Sequence, residues 1–256
     1  YLVMPLNAQR APTDDVHFRR AISMAIDYEA LIGLLKVTPD SNTAAPLHGT
    51  IPSGMLGHDP SLPTLTRDIE AAKAELAKSK YAGNPPPVEM IWVSEVAVEE
   101  HIGLIVQQNL AEIGITVNLT RVPWALLTQQ VAQVESTPNI TQRFVQAPFP
   151  DPDSLISQNN HTRYMGTTLK MDWHDDKEVD QMLDKARAER DPEVRKQVYR
   201  DIQVRLFETM PTIYAFQTAD SFVKQDYVTA PLLEDPAQTF AVQGGNWQFG
   251  TMSVNK

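Results

Sequence analysis

The apolar positions of this chain fall at helical spacing in some stretches and at strand spacing in others, which predicts an α/β fold. Phe18, Ile22, Ala25 and Ile26 recur at i, i+4, i+7 and i+8 behind Asp15, so a helix capped by that aspartate is expected. Asp27 restarts helix with Leu31, Leu34 and Leu35 inward. Residues 38–66, rich in proline and glycine, predict a long irregular covering loop. Thr66 is the next expected N-cap, with Asp68 and Glu70 in the first turn and Ile69, Ala72 and Leu76 as the buried stripe. Val88-Glu-Met-Ile-Trp-Val93 is a nearly continuous apolar run, the pattern of a strand covered on both faces. A helix through Ile102, Val106, Leu110 and Ile113 follows and stops at Gly114. Ile115 to Thr120 then alternates, with Ile115, Val117 and Leu119 on one face. Strand, helix and strand at this spacing predict a right-handed crossover with a parallel pair. Later, Asp175 or Asp176 caps a helix carrying Val179, Met182, Leu183 and Ala186. Asp191-Pro192 opens another along Val194, Val198, Ile202 and Leu206, ending before Pro211. Thr212 to Phe216 returns as a strand, and the last forty residues are turn-rich without a clear helix.

Composition narrows what such a fold can do. A formal charge of −10 argues against nucleic acid as a partner, because phosphate binding needs a basic face. With no cysteine there is no thiol nucleophile, disulfide or thiolate metal site. No apolar run reaches the ~18–20 residues needed to cross a bilayer; residues 21–35 come nearest and are interrupted by Asp27 and Glu29. The chain opens Tyr1-Leu-Val-Met without an export leader, so it is expected to be a processed or cut piece.

Several segments in fixed order carry a family resemblance. Asp15-Val-His-Phe-Arg-Arg-Ala-Ile-Ser-Met-Ala-Ile-Asp27 resembles the "DxxVRxAIxxAID" opening of the C-terminal lobe of bacterial peptide/nickel-type (family 5) solute-binding proteins. These are the extracytoplasmic receptors of ABC importers. Gly49-Thr-Ile-Pro-Ser53 is similar to their "G-x-I-P" loop, and Ile105 to Val117 to their "I-Q-x-x-L-x-x-I-G-I-x-V" segment. Val179 to Ala186, Asp191 to Tyr199 and Pro211 to Phe216 follow in register. Ala147-Pro-Phe-Pro-Asp-Pro-Asp-Ser-Leu155 resembles the "W-x-A-D-Y-P-D-P-x-x-F-L" loop, which helps line the family's ligand cleft.

The resemblance implies one lobe of a type II-like clamshell, a mixed sheet flanked by helices. Residues 1–216 would form the C-terminal ligand-binding lobe, with hinge strands near 2–7 and 211–217. Residues 217–256 would be a return segment whose apolar side chains (Phe222, Val223, Val228, Phe240, Trp247 and Phe249) pack on an N-terminal lobe absent from this chain. The implied function is non-covalent capture of a small solute and its delivery to an ABC permease in the membrane. The implied location is periplasmic or extracytoplasmic, with a lipid anchor compatible. The same lobe also serves as a sensing module in regulators, which is the alternative expectation.

In peptide-binding members the aspartate of "W-x-A-D-Y" receives the ligand's α-amino group. Aligning Pro150-Asp151-Pro152 places Pro148 at that aspartate, Phe149 at the tyrosine and Val145 at the tryptophan. Losing one partner of a desolvated charge pair costs about 2–5 kcal/mol, so a sugar, an amine-blocked compound or a metal chelate is expected rather than an ordinary oligopeptide. Gln142 and Gln133 align where some members place arginines for a ligand carboxylate. Gln142, Gln146, Pro148, Phe149 and Trp124 are the candidate ligand contacts, although a core role for Phe149 and packing for Trp124 compete with that assignment. Trp92 is expected in the core; Arg121 and Arg143 could meet an anionic ligand, but solvated surface arginines are commoner. Asp172-Trp-His-Asp-Asp176 could coordinate a cation but better suits the start of the following helix. No zinc-protease, nucleophile-elbow, phosphate-loop or dinucleotide motif occurs, so neither catalysis nor a cofactor is expected.

Overall fold

The computed structural model describes residues 1–36, 38, 43–219, 223–234 and 249–254. Strand β1 (Leu2–Pro5) leads to helix α1 (Val16–Ala25), whose N-cap Asp15 accepts a hydrogen bond from the Phe18 amide. Phe18, Ile22 and Ile26 are fully buried, and each contributes about 1.5–3 kcal/mol by leaving water. Asp27 caps α2 (Tyr28–Gly33) through the Ala30 amide. That helix stops earlier than its apolar pattern predicts, leaving Leu34 at 36% exposure. The covering loop contains β2 (Ala44–Ala45). Helix α3 (Ile69–Leu76) is capped by Asp68, whose carboxylate accepts from Ala71. The expected cap at Thr66 is therefore corrected by two residues.

Strand β3 (Val88–Val93), helix α4 (Val98–Ala111) and β4 (Val117–Val122) form the expected crossover, with β3 and β4 paired in parallel from Val88–Val117 to Val93–Val122. Gly114 ends the helix with φ +81°, the left-handed conformation that glycine tolerates best. The second strand starts two residues later than predicted, but Ile115 and Val117 are buried as expected. Helix α5 (Trp124–Gln130) follows, then the two-residue β5 (Arg143–Phe144) and a π-helical turn (Asp153–Ser157) continuing into α6 (Gln158–Asn160). Asp176 caps α7 (Lys177–Ala188) and Asp191 caps α8 (Pro192–Thr209), with proline in the first turn. On α8, Val198, Tyr199, Ile202 and Leu206 are buried, whereas Val194 is exposed. Strand β6 (Thr212–Thr218) follows.

Four strands assemble antiparallel in the order β2-β6-β1-β5. The parallel β3-β4 pair joins them through Ile140, which bridges both Leu6 and Met90. β1 and β6, the strands expected near the hinge, are paired with each other and covered on both faces. Leu2, Met4, Leu6, Ile213 and Phe216 enter the core under α1, α2 and α4. Tyr1, Val3 and Tyr214 enter a second core with α7, α8, Leu155 and Ile156. In the tail, β7 (Val228–Thr229) pairs with β8 (Ser253–Val254), and Val223 is exposed. Phe222, Phe240, Trp247 and the side chain of Phe249 lie outside the described residues.

Candidate functional site

The end of the antiparallel sheet bearing Phe144 and Thr218 borders a cavity of about 470 Å³, with Tyr1, Arg143, Gln146, Pro148, Asn159 and Thr218 in its wall. A hollow beside it shares Tyr1, Val145, Gln146 and Thr218 and extends to Pro52, Met55 and Gln217. The loop at Gly49–Ser53 thus borders the same cleft, fixed by the Ser53 amide and hydroxyl donating to Gln217 Oε1, each at 3.0 Å.

Local geometry explains how the wall is held. β5 pairs with β1, and the Val145 amide donates to the Tyr1 carbonyl at 2.8 Å. From Gln146 the backbone leaves the ladder and turns. Asp151 Oδ1 accepts from the Asp153 amide at 2.9 Å, and Ser154 Oγ donates to the carbonyls of Phe149 and Asp151. Leu155 and Ile156 then anchor the turn in the second core. The acidic side chains are engaged by α7 and α8: Arg195 donates to both oxygens of Asp151 at 2.7 Å, and Arg187 pairs with Asp153 at 3.1 Å. The Arg195 hydrogen bonds hold the Asp151 carboxyl below its ordinary range.

The sequence-selected residues are divided by this arrangement. Gln146 and Pro148 line the cavity together. Phe149 is next to them in sequence and 49% exposed, but it is not part of the cavity lining. Gln142 is 1% exposed; its Nε2 donates to the Glu99 carbonyl and its Oε1 is buried without a hydrogen-bond partner. A surface ligand contact at Gln142 is thus corrected to a buried position under α4. Gln133 is exposed away from the lining. Trp124, at the first turn of α5, is 41% exposed, and its amide donates to Glu95; it too lies outside this lining. Trp92 is buried, and Arg121 stacks over its ring at 5.4 Å.

Arg143 departs most from expectation. It is a half-buried wall residue rather than a solvated arginine. Its guanidinium donates to the Thr168 and Leu169 carbonyls and to Asn159 Oδ1. Burial pulls its pKa down to about 10, opposed by the fields of Tyr1, Tyr214 and Asp172. Nothing in the local sequence marks it, because its partners lie 16 to 26 residues downstream.

Other polar clusters have internal partners. Lys170 and Asp172, each 1% exposed, pair at 2.7 Å, and Asp176 caps α7 while binding Arg205 at 2.9 Å. A second cavity of about 490 Å³, between α1, residues 62–66 and the end of α8, is walled mostly by apolar groups such as Met24, Leu65 and Phe207. It contains none of the sequence-selected residues.

The model of the bacterial extracellular solute-binding proteins, family 5 Middle, matches residues 1–167. The chain belongs to this family. Among curated relatives, a probable D,D-dipeptide-binding periplasmic protein of Escherichia coli is 27% identical over 213 residues, 83% of this chain and 40% of the relative. Di/tripeptide-binding protein 2 of Pseudomonas aeruginosa is 26% identical over 211 residues, 80% of this chain and 38% of that one. The chain therefore spans about two fifths of the length of these relatives. A peptide-bound periplasmic binding protein from Helicobacter pylori superposes with a TM-score of 0.78 at 18% identity, covering 100% of this chain and 48% of that one. A dipeptide-binding protein from Pseudoalteromonas gives 0.76 at 21%, covering 85% and 42%. At these identities the likeness shows the fold, the type II-like architecture of periplasmic binding proteins with helices flanking mixed sheets.

Proposed function

We propose that this family 5 chain supplies one wall of a solute-binding cleft in an ABC importer's receptor, located outside the cytoplasmic membrane. The solute is captured between this wall and a second lobe, and is then handed to a membrane permease. The observation that carries this reading is the placement of Gln146 and Pro148, from the loop resembling the family's cleft loop, in the wall of a 470 Å³ cavity. That volume falls within the ~300–1,000 Å³ typical of small-molecule sites. No catalytic step is invoked; relatives that match this chain are named for binding D,D-dipeptides, di- and tripeptides, heme and nickel.

The solute is not held by its free amine. Pro148 cannot supply a carboxylate, and the nearby Asp151 and Asp153 are already paired with Arg195 and Arg187. Native mass spectrometry of the protein in its full natural length, purified from its own host, tests the reading. A retained small molecule lacking a free α-amine is expected. A retained free-amine oligopeptide would contradict the ligand class, and turnover of bound solute would contradict a purely binding role.

A further inference from the structure

We infer that Gln217 is a positioning residue for the cleft: it ties the loop from Pro46 to Ser53 to strand β6, so that this part of the wall keeps its place while a solute is held. This rests on the reading of the cavity as a solute site and of β6 as a strand that crosses to the second lobe. The pairing of β1 with β6 slips by one residue, since Leu2 faces Phe216 while Val3 faces Tyr214, and Ala215 is the extra residue of a β-bulge. Side chains of a regular strand alternate between its two faces. Here Ile213, Ala215 and Phe216 all enter the first core, and Tyr214 enters the second. Without the bulge, Gln217 would share the Ile213 face and point into the first core. The extra residue turns it to the Tyr214 side, where Leu47 and Ile51 of the loop are packed. Re-aiming a side chain beside a site is what such bulges do elsewhere.

The Gln217 amide uses both of its ends on the loop. Oε1 accepts from the Ser53 amide and hydroxyl, each at 3.0 Å, and Nε2 donates to the Pro46 carbonyl at 3.1 Å. One side chain thereby fixes both ends of the segment. Its middle is held differently, by Gln203 of α8, which accepts from the Thr50 and Ile51 amides. Gln203 anchors the loop within the lobe, whereas Gln217 anchors it to β6. The loop supplies Pro52 to the hollow that Tyr1, Gln146 and Gln217 also line. Releasing its ends would open that hollow to water and loosen the wall around a solute already in place. Losses of this kind act on dissociation more than on encounter.

The test uses the protein in its full natural length and Gln217→Met, which keeps the bulk of the side chain and removes all three bonds. Hydrogen-exchange mass spectrometry of peptides covering residues 46–56 reads the loop, with residues 88–122 as the internal reference. Exchange in the loop is expected to rise about tenfold in the variant, the worth of one or two modest hydrogen bonds, while the reference stays unchanged. Calorimetry against N-acetyl dipeptides, sugars, sugar acids and a nickel–citrate chelate selects the tightest probe. Stopped-flow measurements with that probe are expected to show dissociation about tenfold faster in Gln217→Met and association within about threefold of wild type. Ser53→Ala removes one of the bonds and is expected to shift both readouts less in the same direction, which keeps the test decisive where Gln217→Met does not fold. Unchanged loop exchange in a folded Gln217→Met overturns the inference while leaving the cleft reading intact. So does faster loop exchange with unaltered dissociation, which would make the contact structural only. No binding by any probe at millimolar concentration overturns both.

Discussion

Arg195 on α8 holds both carboxylate oxygens of Asp151 at 2.7 Å, tying the cavity loop to the helix that forms the floor of the second core. The guanidinium also lies 5.3 Å from the Tyr199 ring centroid, one turn along the same helix. A two-point link between a planar donor and a planar acceptor resists rotation of the loop as well as its withdrawal. Arg195→Met is expected to cost about 1–2 kcal/mol in chemical denaturation, the range for a partly exposed but well-aligned pair. Asp151 has its pKa lowered in the folded state, so its contribution is present above the unfolded carboxylate value and disappears as pH falls through the folded one. The stability gap between wild type and Arg195→Met should therefore close on acidification below about pH 4. A gap that widens towards low pH would show that the pair is not the source.

Gly49 makes a second, sharper prediction. Its φ is +67°, and a Cβ there would meet Gln203 Oε1 and, at 2.9 Å, Leu62 Cδ1. That Oε1 accepts from the Thr50 and Ile51 amides at 2.9 and 3.2 Å, while Gln203 Nε2 donates to the Gly57 carbonyl at 3.0 Å. One buried glutamine thus holds the loop at Gly49–Gly57 against α8. Gly49→Ala combines left-handed strain with displacement of that glutamine, and is expected to cost about 2–4 kcal/mol. Gly114→Ala, with φ +81° and open space around it, should cost only about 1–2 kcal/mol. Thermal denaturation of the two variants side by side checks the difference, and equal losses would refute the role given to Gln203.

What could be read from the sequence follows how locally each feature is determined. The parallel crossover was legible because a six-residue run that is apolar except for Glu89, a helical stripe ended by glycine, and an alternating run each leave a recognisable trace. Asp15, Asp27 and Asp191 were legible because an N-cap bonds within three residues of itself. Thr66 and Asp68 are both competent caps, and only the start of the helix at Ile69 decides between them. Arg143 and Gln142 carried no such trace. They sit in or beside a two-residue strand, and their burial is set by Asn159, Leu169 and the Glu99 carbonyl, far along the chain. Alignment to the family selected a loop whose Gln146 and Pro148 line a cavity, but alignment by column could not show that the neighbouring Arg143, rather than Gln142, reaches the same wall.

The pair of Lys170 and Asp172 is a structural element rather than a site, and this has a measurable consequence. Both side chains are 1% exposed and 2.7 Å apart, and Asp172 also accepts from Thr212 Oγ1 and the His174 amide at 3.0 Å. Lys170→Met leaves a buried carboxylate with neutral donors only, and is expected to cost about 3–5 kcal/mol. Lys170→Met combined with Asp172→Leu should recover part of that loss, since removing both charges also removes the desolvation penalty. A double variant no more stable than Lys170→Met alone would show that the Thr212 and His174 contacts matter more than the charge pair.

Glu99 is the group whose titration should be visible near neutral pH. It is 2% exposed, its Oε2 accepts from the Val93 amide at 2.8 Å, and burial pushes its pKa up to about 7. Its carboxyl ionises near pH 4.3 when unfolded. Between those values the folded protein keeps a proton that the unfolded chain has released, so stability falls as pH rises through this window. Glu99→Gln removes the ionisation and keeps a polar group facing the Val93 amide. The variant should therefore gain on wild type by a few kcal/mol between pH 5 and pH 8. Urea denaturation of both proteins across that range measures the gap; a difference independent of pH would mean that Glu99 is solvated in solution and the buried carboxyl is not what titrates.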